Sequence, residues 1–292
     1  MKLLARITDY GKLVRFTHTI FALPFAVMGA VLAVRAGRGD PGWWEAAWIL
    51  VAMVGARTAA MAMNRLADHE IDATNPRTSD RELPSGRMGR GEVWALLAVS
   101  TGAFVLACGM LSPMTLYLSP VVIVVLYSYP YAKRFTWLCH LWLGAALGLS
   151  PVGAWVAVAG GFGDGFAAVL FLGFAVTLWT AGFDVLYALL DVEHDRSRGL
   201  HSIPSRLGVG PALLLSGLFH AGTVFLLVLA GRTADLGWIW WTGLAGVTGL
   251  LIAEHAMVKA DDLSKVNLAF FTMNGAVSMG LMAAFLFDVW LA

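Results

Sequence analysis

Apolar residues fall in long blocks along the chain, separated by short polar stretches that hold nearly all of the charge. Nine blocks reach membrane-spanning or near-spanning length, at residues 18–35, 43–65, 93–110, 113–130, 138–160, 166–190, 210–229, 237–258 and 267–289. Breaks at Pro and Gly within some of them leave eight or ten as neighbouring counts. Each run far exceeds the roughly 9–11 residues of a membrane β-strand. Irregular backbone in lipid would leave peptide groups without hydrogen bonds, so the pattern predicts helices. The many glycines and alanines inside the blocks suit close helix packing, because lipid provides no hydrophobic force to drive helices together.

Composition strengthens this reading. Of 292 residues, 59% are hydrophobic and only 13% are charged, against about 25% charged in soluble domains. A continuous helical bundle, one membrane domain over residues 1–292, accounts for the length. Cys108 and Cys139 both lie in apolar stretches and imply neither a disulfide framework nor a thiolate metal site. The basic start (Lys2, Arg6, Lys12, Arg15) and the first apolar run superficially resemble a signal peptide. Eight further apolar segments make a first membrane helix the better reading. The expected surroundings are membrane lipid, and no nucleic-acid partner is expected.

The net charge of +1 says little, but the placement of the charges says more. Loops after the second, fourth, sixth and eighth segments carry Arg77, Arg81, Arg87 and Arg90; Lys133 and Arg134; Arg196, Arg198 and Arg206; and Lys259 and Lys265. With the N-terminal four and Arg65, they account for 16 of the 20 Lys and Arg. Arg35, Arg38 and Arg232 fall on the other side, and Arg57 lies within a segment. The positive-inside rule places the N-terminus and these loops in the cytoplasm, with the C-terminus outside; the expected location is a bacterial cytoplasmic (inner) membrane.

Two acidic clusters lie on that cytoplasmic side. Asn64, Asp68 and Asp72 are spaced i, i+4, i+8 at the end of the second segment, which would keep them along one helical stripe. Asp184, Asp191 and Asp195 recur at the end of the sixth, again as if along one helix. Asp184 follows 19 residues without charge, and a carboxylate that deep normally faces a cavity, a partner or an ion. Tyr187 lies one turn further on. Carboxylate and amide oxygens suit a hard cation such as Mg²⁺, which keeps part of its shell for substrate phosphates. Arg77, Arg81, Lys133 and Arg198 lie nearby, either to clamp an anion or to form ordinary ion pairs. Glu70, Glu82, Glu193 and Asp261 read as solvated caps. His69, His194 and His201 leave a mixed-ligand zinc site as a minor alternative. No His-Glu-x-x-His, P-loop or dinucleotide fingerprint is present.

Asn64-x-x-x-Asp68-x-x-x-Asp72, followed by Arg77-Thr and Arg81-Glu-Leu-Pro-Ser-Gly86, resembles the first signature of the UbiA superfamily of intramembrane aromatic prenyltransferases. Asp184-x-x-Tyr187-x-x-x-Asp191-x-x-x-Asp195, then Arg198-Gly-Leu-His-Ser202, resembles the second. Tyr129-Pro-Tyr-x-Lys133-Arg134 is similar to a short motif between them. The likeness covers essentially the whole chain and is nearest to the 4-hydroxybenzoate polyprenyltransferases. Arg65 departs from relatives that carry Asp or a small polar residue there.

The resemblance implies an all-α membrane protein of nine transmembrane helices around a central cavity. It implies a polyprenyl diphosphate donor, a small aromatic acid acceptor and Mg²⁺. Asn64, Asp68, Asp72, Asp184, Asp191 and Asp195 would be the metal and diphosphate positions, with the diphosphate bridged between the two motifs. Arg77, Lys133, Arg134 and Arg198 would serve the diphosphate or the acceptor, and Asp191, Tyr187 and Arg77 the reaction itself. The leading expectation is prenylation of 4-hydroxybenzoate in quinone synthesis. A naphthoate acceptor from menaquinone synthesis would use the same site. An ion-coupled transporter is the alternative of another class, with Asp184 binding the cation.

Overall fold

The computed structural model describes Tyr10, Gly11, Leu13 and residues 21–291. Lys2, Arg6, Lys12, Arg15 and the predicted start of the first helix at residue 18 lie outside the described residues. Within them the chain is helical, in this order: α1 (Leu23–Arg35), α2 (Trp43–Ala67), α3 (Arg90–Leu111), α4 (Pro113–Ala132), α5 (Cys139–Ala159), α6 (Phe166–Ala188), α7 (Val209–Thr233), α8 (Trp238–Met257) and α9 (Val266–Leu291). Among the described residues seven helices are long and apolar enough to cross a membrane; α1 and α8 are the apolar helices outside that set. α1 has 13 described residues, or about 20 Å at the helical rise. Trp238, Trp240, Trp241, Glu254 and His255 lower the apolar character of α8. Large apolar side chains point outward, among them Val99, Tyr117 and Phe225, each more than 60% exposed. Contiguous apolar exposure on that scale fits a surface solvated by lipid.

The chain forms two compact units. Of the described residues, the first contains Tyr10, Gly11, Leu13 and residues 41–131, and the second contains residues 21–40 and 132–291. In the first, α2 packs on α3. Gly55 makes that approach close, since a Cβ there would sit 2.9 Å from Ser100 O. Glu45 and Glu92 start these two helices by accepting hydrogen bonds from the N–H groups of Gly42 and Gly89, at 2.9 and 2.8 Å. Each thereby satisfies an amide left over at a helix start.

In the second unit α6 is the central helix, packed by α5 and α7, while α1 lies on α5 and α8 on α9. Gly144 and Gly148, four residues apart on α5, lie so close to Thr177 and Gly173 of α6 that a Cβ would overlap their backbone. This small-x-x-x-small contact lets two membrane helices gain dispersion contacts along their backbones. Phe21, Trp179, Phe183 and Phe270 meet edge to face at centroid distances of 4.9–6.2 Å.

The structure corrects the acidic stripes. Asn64 is in the last turn of α2, but Asp68 has φ −97° and ψ 7°, and Asp72 belongs to a separate six-residue helix, His69–Thr74. Likewise α6 ends at Ala188; Asp191 closes a 3₁₀ turn (Leu189–Asp191) and Asp195 lies in a further short helix, Val192–Ser197. Asp favours junctions because its side chain competes for nearby backbone N–H groups. Both clusters therefore bend where unbroken helices were expected.

Candidate functional site

In the first unit, Asp68 and Asp72 are nearly inaccessible, at 3% and 4% exposure, and Arg65 is buried beside them. Asn64 Nδ2 donates to Asp68 Oδ2 at 3.3 Å, and Arg65 Nη1 reaches Asn64 Oδ1 at 3.5 Å. Arg81 Nη1 lies 2.8 Å from both oxygens of Asp72. Of the two roles open to it, Arg81 thus takes the ion pair, neutralising a carboxylate that burial would otherwise penalise. The following loop is built on Asn75, whose Oδ1 accepts from the N–H of Arg77 at 2.9 Å, and on Thr78, whose hydroxyl donates to Asp72 O at 3.1 Å. Arg77 itself is exposed. Glu82, expected to be solvated, is buried, with Arg87 3.9 Å away; the chain folds back over it as Met88 N–H donates to Glu82 O.

The second cluster has its own scaffold. Asp184 Oδ2 lies 2.7 Å from Nδ1 of His140, which is buried at the start of α5. His140 Nε2 accepts the N–H of Ile203 at 3.2 Å. That acceptor role puts the ring proton on Nδ1, pointed at Asp184. Ser202 Oγ donates to Asp195 Oδ2 at 3.0 Å and accepts from Ser205 N–H, capping the short helix Ile203–Leu207. Lys133 O accepts from His201 N–H at 2.7 Å, so the loop carrying Lys133 and Arg134 is tied to the segment after the second motif. Asp191 and Lys133 both lie within electrostatic reach of Asp195. Tyr187 stacks on Phe270 at 4.3 Å. Arg134 and Arg198 are exposed.

The donor set is hard oxygen, as Mg²⁺ requires. Asp184 and Asp195 are each held through Oδ2, leaving Oδ1 as the oxygen for a further ligand. Among the described residues no three His, Cys, Asp or Glu side chains converge on a metal position, zinc included. A cation would therefore be held by one or two carboxylates, with water and phosphate completing its shell, which is the common arrangement for Mg²⁺. Asp72 fits least directly, since Arg81 already occupies both of its oxygens.

A profile of the UbiA prenyltransferase family matches residues 22–276. The chain belongs to the UbiA prenyltransferase family. Among similar UbiA proteins, the 4-hydroxybenzoate octaprenyltransferase of Marinobacter nauticus is 29% identical over 93% of this chain and 92% of its own. The apo structure of a UbiA homolog from Aeropyrum pernix K1 is 37% identical, covers 93% of this chain and 98% of the homolog, and superposes with a TM-score of 0.83. A UbiA homolog from Archaeoglobus fulgidus, bound to GPP and Mg²⁺, shares the fold at 18% identity and a TM-score of 0.67, covering 97% of this chain and 99% of the homolog.

Sequence reasoning missed His140 and the part played by Ser202. The signal for His140 was indirect: Asp184 required a partner, and His140 is the one histidine in the adjoining α5. A second buried set was also missed. Asn274 accepts from Trp179 Nε1 and donates to Glu254 Oε1, both at 2.8 Å. It also donates to the carbonyls of Ala269 and Phe270, where α9 widens into a π-turn.

Proposed function

We propose that this chain transfers a polyprenyl group from a polyprenyl diphosphate to 4-hydroxybenzoate in quinone biosynthesis. The observation that carries this reading is the near end-to-end alignment with the Marinobacter nauticus 4-hydroxybenzoate octaprenyltransferase. In this reading Asn64, Asp68 and Asp72, and Asp184, Asp191 and Asp195, hold Mg²⁺ and the donor's diphosphate. Mg²⁺ would supply electrostatic stabilisation as negative charge develops on the leaving diphosphate. Arg77, Lys133, Arg134 and Arg198 bind the diphosphate or the carboxylate of the acceptor through charge-assisted hydrogen bonds. The allylic C–O bond breaks with its electron pair leaving on diphosphate. The ring carbon ortho to the phenol oxygen forms the new C–C bond, and loss of its proton restores aromaticity. Tyr187 helps to place the acceptor, and a second-motif carboxylate such as Asp191 takes up that proton.

The same reading gives nine membrane spans in one domain, with the N-terminus and the motif loops cytoplasmic and the C-terminus external. The profile match, which runs through both compact units, supports a single domain. Arg35 and Arg38 donate to Asp235 O at 2.8 Å and Phe162 O at 3.0 Å, which puts them beside the turns after α7 and α5, both external in this reading.

The test is purified protein in detergent with Mg²⁺, one labelled polyprenyl diphosphate and separate aromatic acceptors, read by product mass. Prenylated 4-hydroxybenzoate is the expected product. Exclusive prenylation of a dihydroxynaphthoate would move the acceptor to menaquinone synthesis. Gradient-driven cation flux with no covalent product would defeat the enzyme reading.

A further inference from the structure

His140 is buried, and both of its ring nitrogens are used. Nδ1–H donates to Asp184 Oδ2 at 2.7 Å, while Nε2 accepts the N–H of Ile203 at 3.2 Å. Ile203 is fully buried and is the first residue of the helix Ile203–Leu207. Its N–H is one of the amides that a helix start leaves without an intrahelical partner. The preceding residue, Ser202, donates to Asp195 Oδ2 at 3.0 Å and caps the same helix. One imidazole thus sits at the head of a continuous chain: Asp184, His140, Ile203 backbone, Ser202, Asp195. Two carboxylates 11 positions apart in sequence, on different helices, are oriented through it. In both, Oδ2 is the held oxygen and Oδ1 is left for a ligand.

We propose that His140 is a positioning residue for the second acidic motif, which through its two hydrogen bonds fixes the carboxylates of Asp184 and Asp195 in a cation-binding orientation. The inference rests on the reading of that motif as a Mg²⁺ site. Because Nε2 accepts and Nδ1 donates, the required side chain is a short one with one donor and one acceptor. Gln supplies both in a similar volume, whereas Met has the same length, no donor and only a weak thioether acceptor.

The experiment compares full-length wild type with His140→Gln, His140→Met, Ser202→Ala and Asp184→Asn, in detergent. The readouts are Mn²⁺ binding by EPR, the Mg²⁺ dependence of turnover, and the thermal midpoint. Losing the outer partners of metal-binding carboxylates typically weakens affinity by about 10–100-fold. His140→Met is expected to weaken Mn²⁺ binding and raise the half-saturating Mg²⁺ concentration on that scale, with kcat at saturating Mg²⁺ falling far less. His140→Gln should bind Mn²⁺ nearly as wild type does, and Ser202→Ala should fall between them. Unchanged Mn²⁺ affinity in His140→Met overturns the proposal, and so does equal loss in Met and Gln, which would indicate packing alone. If His140→Met does not fold, wild-type Mn²⁺ affinity in Ser202→Ala, or strong loss in His140→Gln, overturns it. Wild-type Mn²⁺ affinity in Asp184→Asn would instead remove the metal-site reading itself, and this inference with it.

Discussion

Side chains at the two motifs have two jobs, the proposed one of binding ligand and the observed one of neutralising one another. Arg81 shows the second most plainly, since one nitrogen serves both oxygens of a carboxylate that is 4% exposed. Replacing Arg81 with Ala should strand Asp72 and cost about 2 kcal/mol, the usual scale for a lost charge-assisted hydrogen bond; a lowered thermal midpoint in detergent checks this. A midpoint equal to wild type would mean water compensates Asp72 fully. Asp68→Asn and Asp191→Asn keep the size of the side chain and remove its charge. Each should abolish prenyl transfer in a radiolabelled-product assay, while the protein still elutes as a monodisperse membrane protein. Full activity in either would defeat its assignment as a metal ligand.

Helices in this chain are held by contacts that hydropathy does not report. Gly144 and Gly148 bring the backbone of α5 against α6. Gly148→Leu should therefore force the helices apart and cost about 1–3 kcal/mol, as overpacking does, seen as a lower midpoint or loss of folded protein. An unshifted midpoint would show that this crossing tolerates separation. Asn274, fully buried, joins α9 to Trp179 of α6 and Glu254 of α8. Asn274→Leu should leave the Trp179 N–H and the Glu254 carboxyl unsatisfied, at about 1–3 kcal/mol for each group. The same thermal measurement applies, and neutrality would mean that the π-turn repacks. Apart from the start of the first, which lies outside the described residues, the helices were legible to within a few residues, because a long run of apolar side chains in a bilayer has few other structures available. The ends of α2 and α6 were not. Spacing of i and i+4 is the same on a straight helix and on two helices joined at Asp68, and only the backbone at that junction distinguishes them.

At the scale of the whole molecule, the distribution of Lys and Arg implies which face is cytoplasmic. In a background lacking Cys108 and Cys139, a membrane-impermeant maleimide added to spheroplasts should label Asp164→Cys, in the exposed turn before α6, and spare Ser85→Cys, in the loop after α2. The reverse pattern would invert the topology.

The acidic positions, the helical spans and the family were all readable from the chain, since each depends on residue type at a given spacing, a local property that the sequence carries whole. The partners of those positions were not. That Arg81 takes Asp72, and that His140 takes Asp184 across 44 residues, depends on which helices pack side by side and at what rotation. Burial of a carboxylate requires some partner; only the tertiary structure selects it, because several basic and hydrogen-bonding side chains lie within sequence reach and one packing brings one of them to hydrogen-bond distance.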